Sequence, residues 1–241
     1  MYQLDGVTKT YRHRGQEIRA LDDVSFHIPA GAFVTVTGGS GSGKTTLLLT
    51  LGGLIHPSSG TVAVKGDDLY KAGGNRLAHY RNHTVGFVLQ TFHLVPYLTA
   101  MENVMVPMLL SEKDARKREE KAAALLDKME LSDRRDFRPK ELSVGQQQRV
   151  AIARALANDP EVILADEPTG NLDPALASEI LEIMESLNAS EGRTILMVTH
   201  SPEAAQFGSR RFHLTQGKLR EGAPDATVSG SSHKSSLAGV Q

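Results

Sequence analysis

A run of eight residues, rich in glycine and ending in lysine and threonine, has the residue types and spacing to bind phosphate groups. It reads Gly38-Gly39-Ser40-Gly41-Ser42-Gly43-Lys44-Thr45, matches the spacing G-x-x-x-x-G-K-[ST], and is followed by Thr46. Phosphate oxygens need several backbone N–H donors that point inward, and a loop with almost no side chains supplies them. We expect Lys44 to hold the β- and γ-phosphates of a nucleotide and the Thr45 hydroxyl to ligate Mg²⁺. A Gly/Ser-rich linker could match by chance, but the β-branched strand before the run and the Leu-rich helix after it favour a nucleotide site.

Two carboxylates, Asp166 and Glu167, follow the apolar segment Val162-Ile163-Leu164-Ala165. At the carboxyl end of a buried strand the chain leaves the sheet beside a phosphate loop, so Asp166 can join the Mg²⁺ shell while Glu167 faces the γ-phosphate. Acids at strand ends are common, and this pair alone could be structural. Together with Lys44 it predicts that Glu167 polarises the attacking water.

Two further polar residues close apolar strands. His200 follows Thr194-Ile195-Leu196-Met197-Val198-Thr199, and a neutral imidazole there could donate to the γ-phosphate. Gln90 follows Val85-Gly86-Phe87-Val88-Leu89, and its amide can contact both Mg²⁺ and water without adding charge, which suits a sensor better than a base. Each could also be an ordinary polar strand end.

A second anion site is indicated by Leu142-Ser143-Val144-Gly145-Gln146. A serine at a helix start, with a glycine beside it and exposed amides, presents donors to an anion. The alternative is a plain N-cap.

The elements that must position these residues follow an α/β pattern. Uninterrupted apolar strands such as Val162-Ile163-Leu164-Ala165 indicate a parallel sheet covered by helices. Between this strand and the apolar strand at 194–199, Asp173-Pro174 predicts a helix start, which completes a βαβ unit. We expect a second such unit to begin with the strand at 33–37 and the helix at 46–51. The first 30 residues and 61–65 predict shorter strands in an antiparallel sheet, and 112–129 predicts a charged surface helix.

Composition excludes several classes of protein. The 241 residues carry a formal net charge of −1 and no cysteine. The charge lacks the basic footprint of nucleic-acid binding, so we expect no nucleic-acid partner, and disulfides and thiolate zinc sites are excluded. Apolar runs are too short to span a membrane, so another chain must anchor the protein if it works there. Residues 222–241 have the composition of a flexible tail.

Taken in order, the phosphate loop, Gln90, the LSxGQ segment, the strand end Leu164-Ala165-Asp166-Glu167, Asn171-Leu172-Asp173 and His200 resemble the ATP-binding-cassette ATPases. The resemblance covers about residues 1–220 and implies a P-loop NTPase fold: a mostly parallel core sheet flanked by helices, an antiparallel β subdomain and a helical subdomain. It also implies a head-to-tail dimer, with itself or with a homologous subunit, that encloses two ATP molecules. Ser143, Gly145 and Gln146 would contact the nucleotide held by the opposite subunit. Tyr11 would stack on adenine, Thr46 would contact the α-phosphate, and Asp173 would lie at the dimer seam.

The family usually has glycine where this chain has Val144. A β-branched residue disfavours positive φ, so a left-handed requirement at this position would strain the contact with the opposite subunit.

Two segments indicate a subgroup of the family, since 169–173 and 92–104 resemble the lipoprotein-releasing (LolD), macrolide-export (MacB) and cell-division (FtsE) ATPases. We therefore predict an ATPase that drives a separate transmembrane permease from the cytoplasmic face of the inner membrane. Residues 1–221 would form the nucleotide-binding domain, with a helical subdomain at about 91–158 and permease contacts at 92–104. The alternative is an FtsE-like ATPase that signals across the membrane to a cell-wall hydrolase. DNA-repair relatives need a long coiled-coil insertion, and translation-associated relatives fuse two cassettes; this chain has neither feature.

Overall fold

The computed structural model describes residues 1–13, 15–71 and 73–222. The strands of the described residues are β1 (Tyr2–His13), β2 (Gln16–Ile28), β3 (Phe33–Thr37), β4 (Ser59–Val64), β5 (Asp67–Asp68), β6 (Val85–Leu89), β7 (Val162–Asp166), β8 (Thr194–Thr199), β9 (Arg210–Thr215) and β10 (Lys218–Glu221). The α-helices are α1 (Lys44–Leu51), α2 (Gly74–His83), α3 (Ala100–Met105), α4 (Ala115–Lys128), α5 (Val144–Ala155), α6 (Pro174–Ala189) and α7 (Pro202–Ala205). Short 3₁₀ turns lie at Val106–Leu110, Ser132–Arg134 and Pro139–Glu141.

The larger sheet has the strand order β10-β9-β3-β8-β7-β6, and all its pairs are parallel except β9 with β10. Its central strands are buried on both faces, because Val34 and Leu164 pack in one apolar cluster while Phe33 and Ile163 pack in the other. The register sets Thr37 against Thr199 and Asp166 between Leu89 and Val198. The carboxyl ends of four strands therefore meet at one edge of this sheet.

The smaller sheet, in the order β2-β1-β4-β5, is antiparallel, as predicted. Its first two strands have 12 and 13 residues and are longer than the short segments we expected. Bulges explain the difference: Gly6 and Asp23 have positive φ, and the pairing of β1 with β2 shifts register near them. A bulge bends a strand without ending it.

The prediction of a second βαβ unit is wrong in its connection. After β3 and α1 the chain enters β4, which pairs antiparallel with β1 in the smaller sheet. Both edges of β3 are already occupied, by β8 and β9, so the next strand in sequence cannot pair there. The unit of β7, α6 and β8 is confirmed, with Asp173 as the N-cap of α6.

Three helices, α3, α4 and α5, lie between β6 and β7 in sequence and share an apolar cluster with one face of the larger sheet. The predicted surface helix corresponds to α4, which buries Ala122 and Leu126. None of the helices among the described residues has the length and apolar character needed to cross a membrane. The predicted tail lies outside the described residues except for Gly222.

Candidate active site

The loop between β3 and α1 needs glycine at some positions for reasons internal to the chain. A Cβ on Gly43 would lie 2.0 Å from the carbonyl oxygen of Ala20, and one on Gly38 would lie 2.3 Å from that of Leu214. Gly43 also has a φ of 109° at the N-cap of α1. By contrast, a Cβ on Gly39 would meet nothing within 4 Å, so the chain itself does not explain the glycine there.

Lys44 begins α1 and folds back over the loop. Its ammonium donates to the carbonyl oxygens of Gly38 at 2.7 Å and Gly39 at 3.1 Å. It also lies 3.8 Å from Oε1 of Glu167, and the two side chains are only 10% and 13% exposed. A mostly buried cation and anion thus face each other across the mouth of the loop.

Asp166 ends β7 beside the loop, and its Oδ2 accepts from the Thr45 hydroxyl at 3.0 Å. Burial raises the pKa of Asp166, and the charge of Glu167 adds to the rise, whereas the Thr45 bond and Lys44 oppose it. A hydroxyl and a carboxylate oxygen this close form the beginning of an oxygen ligand set.

Glu167 has a φ of 48°, a left-handed conformation rare for a residue with a side chain. Its N–H donates to the Val198 carbonyl at 3.0 Å. Its Oε2 accepts from the backbone N–H of His200 at 3.1 Å and from Nδ1 of the same ring at 2.6 Å. The ring is 66% exposed while the carboxylate is mostly buried, so His200 links Glu167 to the surface.

Gln90 is placed against the turn that follows Glu167. Its carbonyl accepts from Nδ2 of Asn171 at 2.9 Å, and a Cβ on Gly170 would lie 2.8 Å from its Nε2. Lys44, Thr45, Asp166, Glu167, His200 and Gln90 therefore converge at the carboxyl edge of the larger sheet. Gln90 is joined to this group through 170–171.

The LSxGQ residues are not brought to the phosphate loop of the same chain by any hydrogen bond among the described residues. Ser143 is the N-cap of α5, and it forms a capping box with Gln146 through bonds of 3.2 Å and 3.0 Å. Gly145 is buried, and a Cβ there would lie 3.0 Å from Leu176 of α6. Val144 is not among the described non-glycine residues of positive φ, so this valine carries no left-handed backbone strain.

The remaining predicted residues are Tyr11, Thr46 and Asp173, which make local contacts of their own. Tyr11 on β1 is 39% exposed, with the Lys9 ammonium 5.3 Å from its ring centroid. Thr46 is in the first turn of α1, and its carbonyl accepts from Thr50. Asp173 accepts from the backbone N–H groups of Ala175 and Leu176, so its carboxylate already caps α6.

Sequence reasoning missed Gln148. This residue is completely buried, and its Nε2 donates to the Pro168 carbonyl at 2.6 Å, directly after Glu167. The available signal was helical spacing, since Gln148 precedes the buried Ile152 by four residues and so shares the buried face of α5.

Known proteins resemble the chain along most of its length. The ABC transporter family profile matches residues 21–170. The chain is 43% identical over 223 residues to the lipoprotein-releasing system ATP-binding protein LolD of Chromohalobacter salexigens, an alignment that covers 92% of this chain and 94% of that protein. The chain belongs to the ABC transporter family.

Two further ABC proteins are informative. The macrolide export ATP-binding/permease protein MacB of Hyphomonas neptunium is 44% identical over 91% of this chain, which covers 34% of MacB. A solved dimeric structure of the ATP-binding cassette MJ0796, bound to ADP and Pi after hydrolysis, matches with a TM-score of 0.86 and 40% identity, covering 92% of this chain and 98% of that one. The predictions of an ABC ATPase and of its α/β fold are confirmed.

Proposed function

We propose that this chain is the ATP-hydrolysing subunit of an ABC transporter and powers a separate transmembrane permease of the lipoprotein-releasing or macrolide-export type. The observation that carries the proposal is the convergence of Lys44, Thr45, Asp166, Glu167 and His200 at one edge of the larger sheet. A phosphate loop, a pair of acids and a histidine in contact are the parts that hydrolysis of a γ-phosphate needs.

In the proposed mechanism, the backbone N–H groups of the loop and the start of α1 bind the phosphates of ATP. Lys44 exchanges its bonds to the Gly38 and Gly39 carbonyls for bonds to phosphate oxygens and neutralises developing charge. Glu167 accepts a proton from the attacking water, and His200 holds the Glu167 carboxylate from the other side through Nδ1–H. A ring that carries a proton on both nitrogens, rather than the neutral imidazole of the sequence analysis, also donates Nε2–H toward the γ-phosphate. Gln90 acts as a sensor of the occupied site.

The donor set fits Mg²⁺. Thr45 and Asp166 offer a hydroxyl and a carboxylate 3.0 Å apart, and Gln90, at the end of the neighbouring strand, would add its amide oxygen. Hard divalent cations prefer such oxygen ligands. The ion would be held by Thr45, Asp166 and Gln90 and would neutralise phosphate charge.

A head-to-tail dimer completes each site. Ser143, Gly145 and Gln146 of one chain contact the nucleotide on the loop of the other, and Tyr11 and Thr46 contact its adenine and α-phosphate. Support comes from the dimeric MJ0796 cassette at 40% identity and from a cleft of about 600 Å³ beside Glu167 and His200, near Asp173 at the proposed seam.

The permease contacts the segment 92–104. MacB is named for ATP-binding and permease functions together, and this chain covers only its cassette-sized third. The guanidinium of Arg154 holds the start of the segment through 2.6 Å bonds to the carbonyls of Phe92 and His93, while Tyr97 is 73% exposed. The proposal places residues 1–221 as the nucleotide-binding domain, 91–158 as its helical subdomain, and the protein at the cytoplasmic face of the inner membrane. FtsE-like signalling stays a prediction.

The test is to purify the chain with its native membrane complex and measure ATP-dependent phosphate release. We expect release that is lost in Lys44→Ala, and chemical crosslinks from 92–104 to a cytoplasmic segment of the permease. Phosphate release that survives in Lys44→Ala contradicts the assigned site. Crosslinks confined to other surfaces contradict the assigned permease contact.

A further inference from the structure

The strongest unassigned feature is a short hydrogen bond that joins α5 to the turn after β7. Gln148 has no exposed surface, and its Nε2 donates to the Pro168 carbonyl at 2.6 Å. Its Oε1 is buried without a hydrogen-bond partner. Leaving a buried acceptor unsatisfied is unfavourable, so an apolar side chain would fill this space more cheaply. The hydrogen bond that its Nε2 donates to Pro168 therefore explains best why an amide occupies this position.

The turn that receives this donor has an unfavourable backbone. Glu167 lies at φ 48° and immediately precedes a proline, although residues before proline favour extended conformations. Such a conformation persists only when neighbouring contacts hold it. The Glu167 N–H donates to Val198, the Gly170 N–H closes the turn on the Glu167 carbonyl at 3.0 Å, and Gln148 holds the carbonyl of Pro168. Gln148 is the member of this set that comes from α5.

Gln148 is also five residues after Ser143 on the helix that begins with the LSxGQ segment. In the dimer of the proposed function, on which this inference rests, Ser143 serves the nucleotide of the opposite chain while Glu167 serves the nucleotide of its own. One rigid helix thus connects parts of both sites.

We propose that Gln148 is a positioning residue that couples the two ATP sites, since it transmits the position of the α5 start in one site to the orientation of Glu167 in the other. Nucleotide contact at Ser143 seats α5, and the Gln148 amide then holds the Glu167 turn in its hydrolytic conformation. The residue touches neither nucleotide.

The first test is Gln148→Met, which keeps the side-chain volume and removes the donor. We expect kcat for ATP to fall by about tenfold to a hundredfold, because small misplacements of catalytic groups cost this much, while KM changes less than about twofold. The matched control is Gln147→Met on the neighbouring, partly exposed residue, whose amide donates to the Leu142 carbonyl. It should keep kcat within about twofold.

A double-mutant cycle tests the coupling itself. If Gln148 transmits the effect of Ser143, then Ser143→Ala should reduce kcat much less in the Gln148→Met background than in the wild type. Equal reductions in both backgrounds would mean that the residues act independently, which overturns the coupling.

Gln148→Glu tests whether position 148 acts as a hydrogen-bond donor or only fills space in the core. It remains informative if Gln148→Met does not fold. A protonated carboxyl can donate to the Pro168 carbonyl, whereas a carboxylate repels it, and burial favours the protonated form. We expect its kcat per folded molecule relative to wild type to rise as the pH falls. Its melting temperature relative to wild type should rise over the same range, because the folded state favours the protonated carboxyl more than the unfolded state does. A flat ratio, or an unchanged kcat in Gln148→Met, overturns the inference while wild-type hydrolysis upholds the proposed function. A wild-type chain that hydrolyses no ATP overturns both.

Discussion

Glu167 combines an unfavourable backbone conformation with a partner at each oxygen of its carboxylate. Lys44 lies 3.8 Å from one carboxylate oxygen, and His200 holds the other. Both partners hold the carboxylate at the mouth of the phosphate loop, where it can accept a proton from an attacking water. The position of the acid thus suits a general base.

Replacing Glu167 with Gln should separate binding from hydrolysis. The amide keeps the size of the side chain but cannot accept the proton, so we expect steady-state turnover to fall by about a hundredfold to ten-thousandfold while ATP binding persists. Phosphate release and nucleotide titration measure the two quantities. Glu203→Gln is the control, because Glu203 lines the same cleft and its carboxylate accepts from the Ser201 hydroxyl. Full turnover by Glu167→Gln would remove Glu167 from the role of base.

Gly39 and Gly43 provide a matched pair in the phosphate loop. Gly43→Ala should reduce the free energy of unfolding by about 1 to 3 kcal/mol, because its Cβ meets the Ala20 carbonyl and its φ is positive. Gly39→Ala should leave the melting temperature unchanged and weaken ATP binding, because only a ligand would meet the added methyl group. Calorimetry and nucleotide titration distinguish them. Unimpaired ATP binding by Gly39→Ala would place the phosphates elsewhere.

At the scale of elements, the sequence predicted best where one segment decides its own structure. The strands β7 and β8 contain continuous apolar runs, β3 is rich in β-branched residues, and Asp173-Pro174 starts α6 as its residue types indicate. The pairing of β4 with β1 could not be predicted, because it depends on which edges of β3 are already occupied. Gln148 was missed for a similar reason, since its partner, Pro168, lies 20 residues away on another element.

The start of α5 carries a prediction about Val144. This residue is the first of the helix, is 44% exposed and lacks a positive φ, so it is not strained. Val144→Gly should therefore not improve catalysis, and it should reduce the free energy of unfolding by up to about 1 kcal/mol through backbone entropy. Chemical denaturation and the KM for ATP measure these effects. A KM that falls severalfold in the glycine variant would show that the valine hinders the contact with the opposite chain.

At the scale of the whole molecule, the chain packs its two proposed anion sites against different apolar clusters. The loop ends at α1, packed in the cluster beneath the smaller sheet, whereas Ser143 starts a helix that packs in the other cluster. The Ser143 and Gln146 side chains are used in capping each other within this chain. In the proposed dimer, the phosphate loop of one chain and the α5 start of the other would bind the same nucleotide.

Complementation between inactive variants tests this arrangement. Lys44→Ala disables the loop of one chain, and Ser143→Arg disables the α5 start of another, so each variant alone should be inactive. In a mixed head-to-tail dimer, the intact loop of the second chain faces the intact α5 start of the first, and one functional site returns. With random mixing, half the dimers are mixed and each has one working site, so independent sites would give about a quarter of the wild-type rate. The coupling through Gln148 lowers this rate, because the working Glu167 belongs to the chain that carries Ser143→Arg, and we expect phosphate release above that of either variant alone but below a quarter. Phosphate release from equal mixtures measures it, and each variant mixed with itself is the control. If each chain instead built its site alone, mixing would restore no phosphate release. A protein that stays monomeric under saturating magnesium nucleotide would also contradict the shared site.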